Sequence, residues 1–216
     1  MHILYPENLK DYNILALFTG KNFNLDYLTP PLYFPIQRHT DNVLVLKDYI
    51  DRKIADAVIT DKKNILIGVK VADCVPILIF DPSAKVVAAV HAGWRGTAKG
   101  ILKRTIIKMK ETFNSNPAHL LIAMGPSIKG CCYEVGQDVI EALKTQTPSE
   151  EFILSFDGKK HVDLSIANLL QALSLNIPKE NIWICPDCTY CKSNLYASYR
   201  HKKKFAGRQY GIIGMV

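Results

Sequence analysis

Two short apolar runs joined by a turn are the feature that most constrains the fold. The runs cover residues 75–80 and 86–90, and Asp81 and Pro82 open the turn between them. Asp caps such turns and Pro presets the backbone angle φ, so the pattern predicts a β-hairpin of two buried strands. Both runs are too short to cross a membrane.

The open end of this hairpin carries a thiol and an imidazole. A turn centred on Pro82 and Ser83 pairs Cys74 with His91, and paired residues lie about 4.5–5.5 Å apart at Cβ. A bulge would shift this register by one residue and leave the two as near neighbours. A facing Cys and His are a nucleophile–base pair, two metal ligands, or a buried thiol beside a structural histidine. The hairpin alone leaves these alternatives open.

Length and composition indicate a globular protein of the cytoplasm. The 216 residues are 48% hydrophobic and 22% charged, which suits one large α/β domain or two small ones. The N-terminal sequence lacks the basic and apolar regions of a signal peptide, and no apolar run reaches transmembrane length. In a cytosolic chain, the six cysteines are expected as thiols or metal ligands rather than as disulfides.

The charge of the chain favours small anionic substrates. The net charge is +7, but the basic residues are scattered, and the dense basic run covers residues 200–204. Such a run is typical of a solvated loop, so we expect neither nucleic acid nor a membrane as a partner. A positive field instead attracts anionic small molecules.

Strands and helices interleave without a βαβ rhythm, which predicts an α+β fold with mixed sheets covered by helices. Strands are also expected over residues 12–18, 43–46, 56–60, 65–71, 120–124, 182–184, 195–199 and 210–213. Helices are expected over residues 137–144 and 163–175, and over an earlier segment that Thr97 caps and that carries an apolar face from Ile101 to Phe113. No linker interrupts the chain, so residues 1–216 are expected to form a single domain.

A glycine-containing turn, residues 92–96, precedes the first of these helices. The free backbone N–H groups at a helix start attract anions, and Arg95 lies beside them, so the turn is a candidate phosphate site. A tight turn with a solvated arginine is the alternative.

A second cysteine motif lies near the C-terminus. Cys185, Cys188 and Cys191 form two CxxC steps that share one cysteine. A zinc knuckle needs four ligands, and no fourth lies nearby in the sequence, so these residues are interpreted as reduced structural thiols.

Several motifs, in order along the chain, resemble those of one family. They are residues 37–39 (Gln-Arg-His), 72–76 (Ala-Asp-Cys-Val-Pro), 91–96 (His-Ala-Gly-Trp-Arg-Gly), 125–128 (Gly-Pro-Ser-Ile), 132–136 (Cys-Tyr-Glu-Val-Gly), 163–168 (Asp-Leu-Ser-Ile-Ala-Asn) and 198–200 (Ser-Tyr-Arg). The chain thus resembles the laccase-domain or polyphenol oxidase family, also called the purine nucleoside phosphorylase or peptidoglycan-editing-factor family.

This resemblance implies a single zinc ion held by His39, Cys74 and His91. It also implies a four-layer α/β/β/α sandwich. The implied activity is phosphorolysis of purine nucleosides (adenosine, inosine, guanosine and methylthioadenosine), with adenosine deamination alongside. The expected partners are therefore a purine nucleoside and phosphate, and the chain is expected to be a monomer or a weak homodimer.

The implied zinc chemistry suggests roles for two further residues. Three protein ligands leave zinc one open position, as in catalytic sites. Arg95, with the helix start after it, can hold the phosphate that phosphorolysis consumes. Asp73 can orient a ligand or shuttle a proton, although an Asp bonded to its own backbone at the end of a turn explains it equally well.

The chain departs from the family pattern at two places. Residues 18–23 (Phe-Thr-Gly-Lys-Asn-Phe) replace an Arg-x-Gly-Gly-Val-Ser-like element, and residues 200–204 (Arg-His-Lys-Lys-Lys) replace an Arg-Arg-Asp-Gly-Gly element. Substrate and phosphate contacts at these places are therefore expected to differ from those of other members.

Two further functions stay open. In a cysteine amidase or hydrolase, with a cell-wall precursor as one candidate substrate, Cys74 is the nucleophile and His91 the base. In a non-enzymatic module, a structural zinc closes its fourth position with Cys131 or Cys132. The oxidase activity of the family's older name fits poorly. Multicopper clusters need many imidazole ligands, including His-x-His pairs, whereas this chain has six histidines and no His-x-His pair.

Overall fold

The computed structural model describes residues 2–48 and 51–216. Its strands are β1 (Ile3–Leu4), β2 (Leu15–Thr19), β3 (Leu32–Tyr33), β4 (Val43–Val45), β5 (Ala57–Thr60), β6 (Leu66–Val71), β7 (Val75–Asp81), β8 (Val86–Ala92), β9 (Leu121–Met124), β10 (Ile153–Phe156), β11 (Lys159–Val162), β12 (Ile182–Ile184) and β13 (Gln209–Gly214). Its α-helices are α1 (Trp94–Ala98), α2 (Ile101–Phe113), α3 (Gln137–Lys144), α4 (Leu164–Leu173) and α5 (Tyr199–Lys202). None of the helices in these ranges is long and apolar enough to cross a membrane.

The strands form two mixed sheets and a separate hairpin. The six-stranded sheet has the order β12-β9-β7-β8-β5-β4, with a parallel pair at each edge and antiparallel pairs between them. The five-stranded sheet has the order β1-β2-β13-β6-β3 and is antiparallel except for the pair of β6 and β3. The hairpin consists of β10 and β11.

Strand β7 shows how the layers form. Ile77 and Ile79 belong to the core under the helices, whereas Leu78 and Phe80 belong to the core between the two sheets. Successive side chains of a strand point to opposite faces, and a strand covered on both faces is apolar throughout. The predicted α+β sandwich with mixed sheets is therefore confirmed. On the outer face of the five-stranded sheet, the cover includes the 3₁₀ turn Leu25–Tyr27 rather than an α-helix.

The central hairpin forms, but its register differs from the prediction by two residues. His91 pairs with Pro76 rather than with Cys74, because the turn spans the four residues 82–85. The carboxylate of Asp81 accepts two backbone N–H bonds within this turn. Since side chains alternate with a period of two, a shift of two residues keeps them on the same face. Cys74, one residue before β7, therefore remains a diagonal neighbour of His91.

Two predictions of local structure are wrong. Residues 195–199 do not form a strand, because the side chain of Ser198 accepts the backbone N–H of His201 and starts α5 at Tyr199. The helix predicted to begin at Thr97 is split into α1 and α2 by Gly100, whose φ of 72° is left-handed. Thr97 is buried inside α1 and does not cap it.

Candidate metal and substrate site

Three side chains with metal-ligating atoms converge at the open end of the β7–β8 hairpin. The ligating atoms of His39, Cys74 and His91 all lie within 4.8 Å of one another. The two imidazole rings meet edge to face, with 4.8 Å between their centroids. His39 lies in the segment before β4, Cys74 precedes β7, and His91 lies near the end of β8. The structure thus brings together the residues expected as ligands, and their role as ligands stays a prediction.

A fully buried carboxylate, Asp56, positions both histidines. It accepts the backbone N–H groups of Arg38, His39 and Thr40 at 3.2, 3.0 and 2.7 Å, and the hydroxyl of Thr40 at 2.7 Å. These bonds hold His39 in a left-handed conformation with a φ of 57°. Nδ1 of His91 donates to the same carboxylate at 2.7 Å, which leaves Nε2 to face the cluster.

Burial and neighbouring charges set the protonation of the cluster. Burial alone would raise the pKa of the Cys74 thiol, but His91 and His39 outweigh it and lower the pKa to about 6. Burial would lower the pKa of His91, but Cys74 and Asp56 outweigh it and raise the pKa to about 9. Burial would likewise raise the pKa of Asp56, but hydrogen bonds from His91 and Thr40 hold it well below its usual range. The thiolate is thus favoured near neutral pH, and it is the form that binds metals and acts as a nucleophile.

The donor set of this cluster fits zinc. A thiolate and two imidazoles are preferred ligands of Zn²⁺, and a carboxylate behind a ligating histidine, as Asp56 is behind His91, is common in such sites. Within the described residues, Cys131 and Cys132 belong to a different group of potential ligands. The structure therefore does not support the closure of this site by either cysteine, which the non-enzymatic alternative requires.

A cavity of about 820 Å³ includes the cluster in its wall. Seven basic side chains line it: Arg38, Arg52, Lys70, Arg95, Arg200, Lys203 and Arg208. Among the described residues of the lining, Asp73 is the only acidic one. Trp94, Tyr133 and Tyr199 contribute aromatic surface. The cavity thus suits an anionic reactant together with a flat aromatic one.

Arg95 contributes its side chain, rather than a helix start, to this cavity. It is the second residue of α1, which has five residues. Its guanidinium carbon lies 4.3 Å from the centroid of the Trp94 ring, an arrangement that holds the planar group in place. The expectation that Arg95 precedes a long helix is therefore wrong, and its contact with phosphate stays a prediction.

The carboxylate of Asp73 is occupied by protein donors. One oxygen accepts the hydroxyl of Thr189 and the other accepts the backbone N–H of Arg200, each at 2.6 Å. The carbonyl oxygen of Asp73 also accepts the backbone N–H of Ile128 at 2.9 Å. These contacts favour a positioning role, and contact of Asp73 with substrate stays a prediction.

Comparison with known proteins assigns the chain to a family. The family model described as multi-copper polyphenol oxidoreductase laccase matches residues 21–216. The chain belongs to this laccase-like family. The resemblance inferred from the sequence motifs is thereby confirmed.

Relatives of this laccase-like chain are named for two reactions. A purine nucleoside phosphorylase from Clostridium acetobutylicum is 40% identical over 178 residues, which are 82% of this chain and 74% of the relative. Adenosine deaminase RL5, from an unknown prokaryotic organism, is 35% identical over 192 residues, which are 83% of this chain and 73% of the relative. The crystal structure of YlmD from Geobacillus stearothermophilus superposes with a TM-score of 0.80 at 30% identity. The match covers 85% of this chain and 73% of the YlmD chain.

Proposed function

We propose that the chain is a zinc-dependent purine nucleoside phosphorylase that also deaminates adenosine. The observation that carries this proposal is the cluster of His39, Cys74 and His91 in the wall of a cavity lined by seven basic side chains. Phosphorolysis consumes an anion and a nucleoside, and the cavity offers positive and aromatic surface for them. The names of the relatives supply the nucleoside class, and we infer inosine, guanosine and methylthioadenosine as further substrates.

Each part of the cavity has a role in this chemistry. His39, Cys74 and His91 would hold the zinc ion, which when bound supplies Lewis-acid chemistry and can activate water near neutral pH. Arg95 and Arg200 bind phosphate oxygens through their guanidinium groups, which suit bidentate recognition. The aromatic walls pack against the purine and exclude bulk water. In phosphorolysis, phosphate attacks the anomeric carbon of the sugar, the bond to the purine breaks, and the free base leaves. In deamination, water attacks the purine carbon that carries the amino group of adenosine, and ammonia leaves.

The metal requirement is tested at His39. His39→Ala is expected to lose one equivalent of zinc per chain together with both activities, because two ligands hold zinc poorly. Zinc is measured by elemental analysis, and activity by phosphate-dependent release of hypoxanthine from inosine. His119→Ala, which changes an exposed histidine of a 3₁₀ turn, is the control and should keep both. Full zinc content in His39→Ala would exclude it as a ligand, and copper with phenol oxidation in the unchanged protein would contradict the proposal.

Arg95 separates the two reactions, because phosphorolysis alone needs phosphate. Arg95→Ala is expected to weaken phosphate use by about 1.5–3 kcal/mol, or roughly tenfold to a hundredfold, and to leave deamination nearly unchanged. Both rates are measured over a range of phosphate concentrations. Arg104→Ala removes an exposed arginine of α2 outside the cavity and serves as the control. Equal losses of both reactions would mean that Arg95 supports the site structurally.

One observation favours a cysteine hydrolase as the second candidate. Cys74, His91 and Asp56 form a thiolate–imidazole–carboxylate series, because His91 contacts the other two residues. His39 lies beside Cys74 but has no role in such a triad. A metal site explains its position, and this favours the zinc-dependent enzyme over the hydrolase. A hydrolase that keeps its activity after zinc is removed with a chelator would reverse this preference.

A further inference from the structure

Four cysteine side chains form a second cluster. The sulfur atoms of Cys131, Cys132, Cys188 and Cys191 all lie within 4.8 Å of one another. Three of the separations are 3.3 Å (Cys132 to Cys191), 3.6 Å (Cys131 to Cys132) and 3.9 Å (Cys131 to Cys191). The cluster lies outside the cavity lining that the described residues form.

We propose that this cluster is a second metal site, a structural zinc centre with four thiolate ligands. Tetrahedral zinc with Zn–S bonds of about 2.3 Å places its sulfur ligands about 3.8 Å apart. The three separations among Cys131, Cys132 and Cys191, 3.3–3.9 Å, bracket that spacing, and the sulfur atom of Cys188 lies within 4.8 Å of the other three. A disulfide requires sulfur atoms about 2.05 Å apart and would account for only two cysteines at a time. The arrangement therefore fits one cation shared by all four sulfur atoms.

The backbone positions both halves of the cluster without using the sulfur atoms. Ser127 forms a parallel bridge with Cys188, and the backbone N–H of Thr189 donates to the Ser127 carbonyl at 3.1 Å. Within the first half, the backbone N–H of Cys132 donates to the carbonyl of Lys129 at 2.9 Å. The two turns that carry the cysteines are thus held side by side, which reduces the conformational cost of binding a cation.

Hydrogen-bond donors and one positive charge surround the sulfur atom of Cys188. The backbone N–H of Lys129 donates to the sulfur of Cys188 at 3.4 Å, and the backbone N–H groups of Tyr190 and Cys191 also face this sulfur. The ammonium of Lys129 adds a positive charge near Cys188. Four thiolates around Zn²⁺ carry a net charge of about −2, and these donors offset part of it.

The interpretation of the cysteines near the C-terminus as reduced structural thiols stays a prediction, but the structure supplies the further potential ligands that are missing from the nearby sequence. Cys188 and Cys191 share the cluster with Cys131 and Cys132, which lie far earlier in the chain. Cys185, the remaining member of the CxxC steps, is buried outside the cluster.

The proposed centre would stiffen one wall of the cavity. Tyr133, which follows Cys132, lines the cavity, and Thr189, which follows Cys188, donates its hydroxyl to Asp73. A cation that binds both turns crosslinks the segments on which these two side chains lie. The role is structural and does not depend on which reaction the cavity performs.

The first experiment leaves the four cysteines intact. Cys74→Ala removes a ligand of the other site, and the tag-free protein is purified under reducing conditions, loaded with Zn²⁺ and freed of excess metal. One equivalent of zinc per chain is expected, and X-ray absorption should show four sulfur neighbours. Absence of zinc, or zinc surrounded by nitrogen or oxygen, would overturn the proposal.

The second experiment changes the cluster itself. The unchanged protein should hold two equivalents of zinc per chain. The double variant Cys131→Ser, Cys191→Ser should hold one equivalent, and the control variant Cys185→Ser should hold two. Circular dichroism checks that each variant is folded. Mass spectrometry of protein purified without reductant shows whether disulfides form, because each disulfide lowers the mass by two hydrogens. If the cluster forms disulfides and binds no zinc after reduction, it is a redox site and the proposal fails.

Discussion

Asp56→Asn is expected to remove zinc from the His39–Cys74–His91 site and to abolish both proposed activities. The Asp56 carboxylate accepts four bonds from residues 38–40 and one from the ring of His91. An amide has one acceptor oxygen and turns its NH₂ group toward donors, so several buried donors lose their partner. Breaking a buried ion pair on one side costs about 3–5 kcal/mol. We expect a loss of this size in the free energy of unfolding, measured by urea denaturation.

A second buried carboxylate separates this effect from general destabilisation. Asp81 lies at the other end of the same hairpin, is almost fully buried and accepts the backbone N–H groups of Ser83 and Ala84 within the turn. Asp81→Asn should lower stability but keep the zinc content and both activities. If Asp56→Asn also keeps its zinc, the turn that carries His39 does not depend on this carboxylate.

Gly93→Ala is expected to reduce both activities by tenfold to a hundredfold while the fold survives. A Cβ atom at Gly93 would lie 2.9 Å from the sulfur of Cys74 and 3.3 Å from Cδ2 of His39. The φ of Gly93 is −76°, which alanine adopts without strain, so the substitution acts through crowding of Cys74 and His39. Displacing catalytic groups by about 1 Å costs on the order of a hundredfold in rate. Zinc affinity and the rate of hypoxanthine release are measured together.

Gly136→Ala is the matched control. Gly136 also precedes a helix, with φ −78° and ψ 167° against −76° and 170° at Gly93. A Cβ atom there would meet the exposed carboxylate of Asp138, which can move aside. The two variants should therefore lose similar, small amounts of stability, and only Gly93→Ala should lose zinc affinity. Equal activity in both would show that the ligands have room for the added methyl group.

The elements predicted best from the sequence are those that local patterns determine. The helix over residues 137–144 was predicted with the bounds of α3. The next helix is predicted to begin at Asp163, and in the structure the carboxylate of Asp163 caps α4 by accepting the backbone N–H groups of Ser165 and Ile166. Both predictions rest on contacts within a few residues, where the side-chain pattern and the helix geometry coincide.

Asp56 shows what the sequence could not reveal. In the sequence it is the first residue of a short apolar strand, and nothing local distinguishes it from a solvated carboxylate. Its donors come from residues 38–40 and from His91, which only the tertiary fold brings to it. For the same reason, His39 was included among the predicted metal ligands only through the family resemblance. Its left-handed conformation, which accompanies its position beside Cys74 and His91, depends on tertiary contacts.

Which of the two sheets a strand joins was also not predictable from the sequence. Strands β6 and β7 are adjacent in sequence and similarly apolar, but they lie in different sheets. A buried strand has no polar face that would indicate its partner, so hydrophobic periodicity does not separate the two sheets. The four-cysteine cluster was missed for a related reason, because its halves meet only when two distant turns pack together.

Asp73 connects the basic wall of the cavity to the cluster of His39, Cys74 and His91. It precedes Cys74 in the chain, and its carboxylate holds the backbone of Arg200, whose side chain lines the cavity. If a bound anion displaces Arg200, the displacement would therefore reach Cys74, a proposed metal ligand, through one residue. Coupling free energies between two sites are reciprocal, so an anion that changes metal affinity by some factor has its own affinity changed by the same factor when metal binds. Titrations of phosphate against metal-free and metal-loaded protein are expected to give two different dissociation constants, and their ratio measures this coupling.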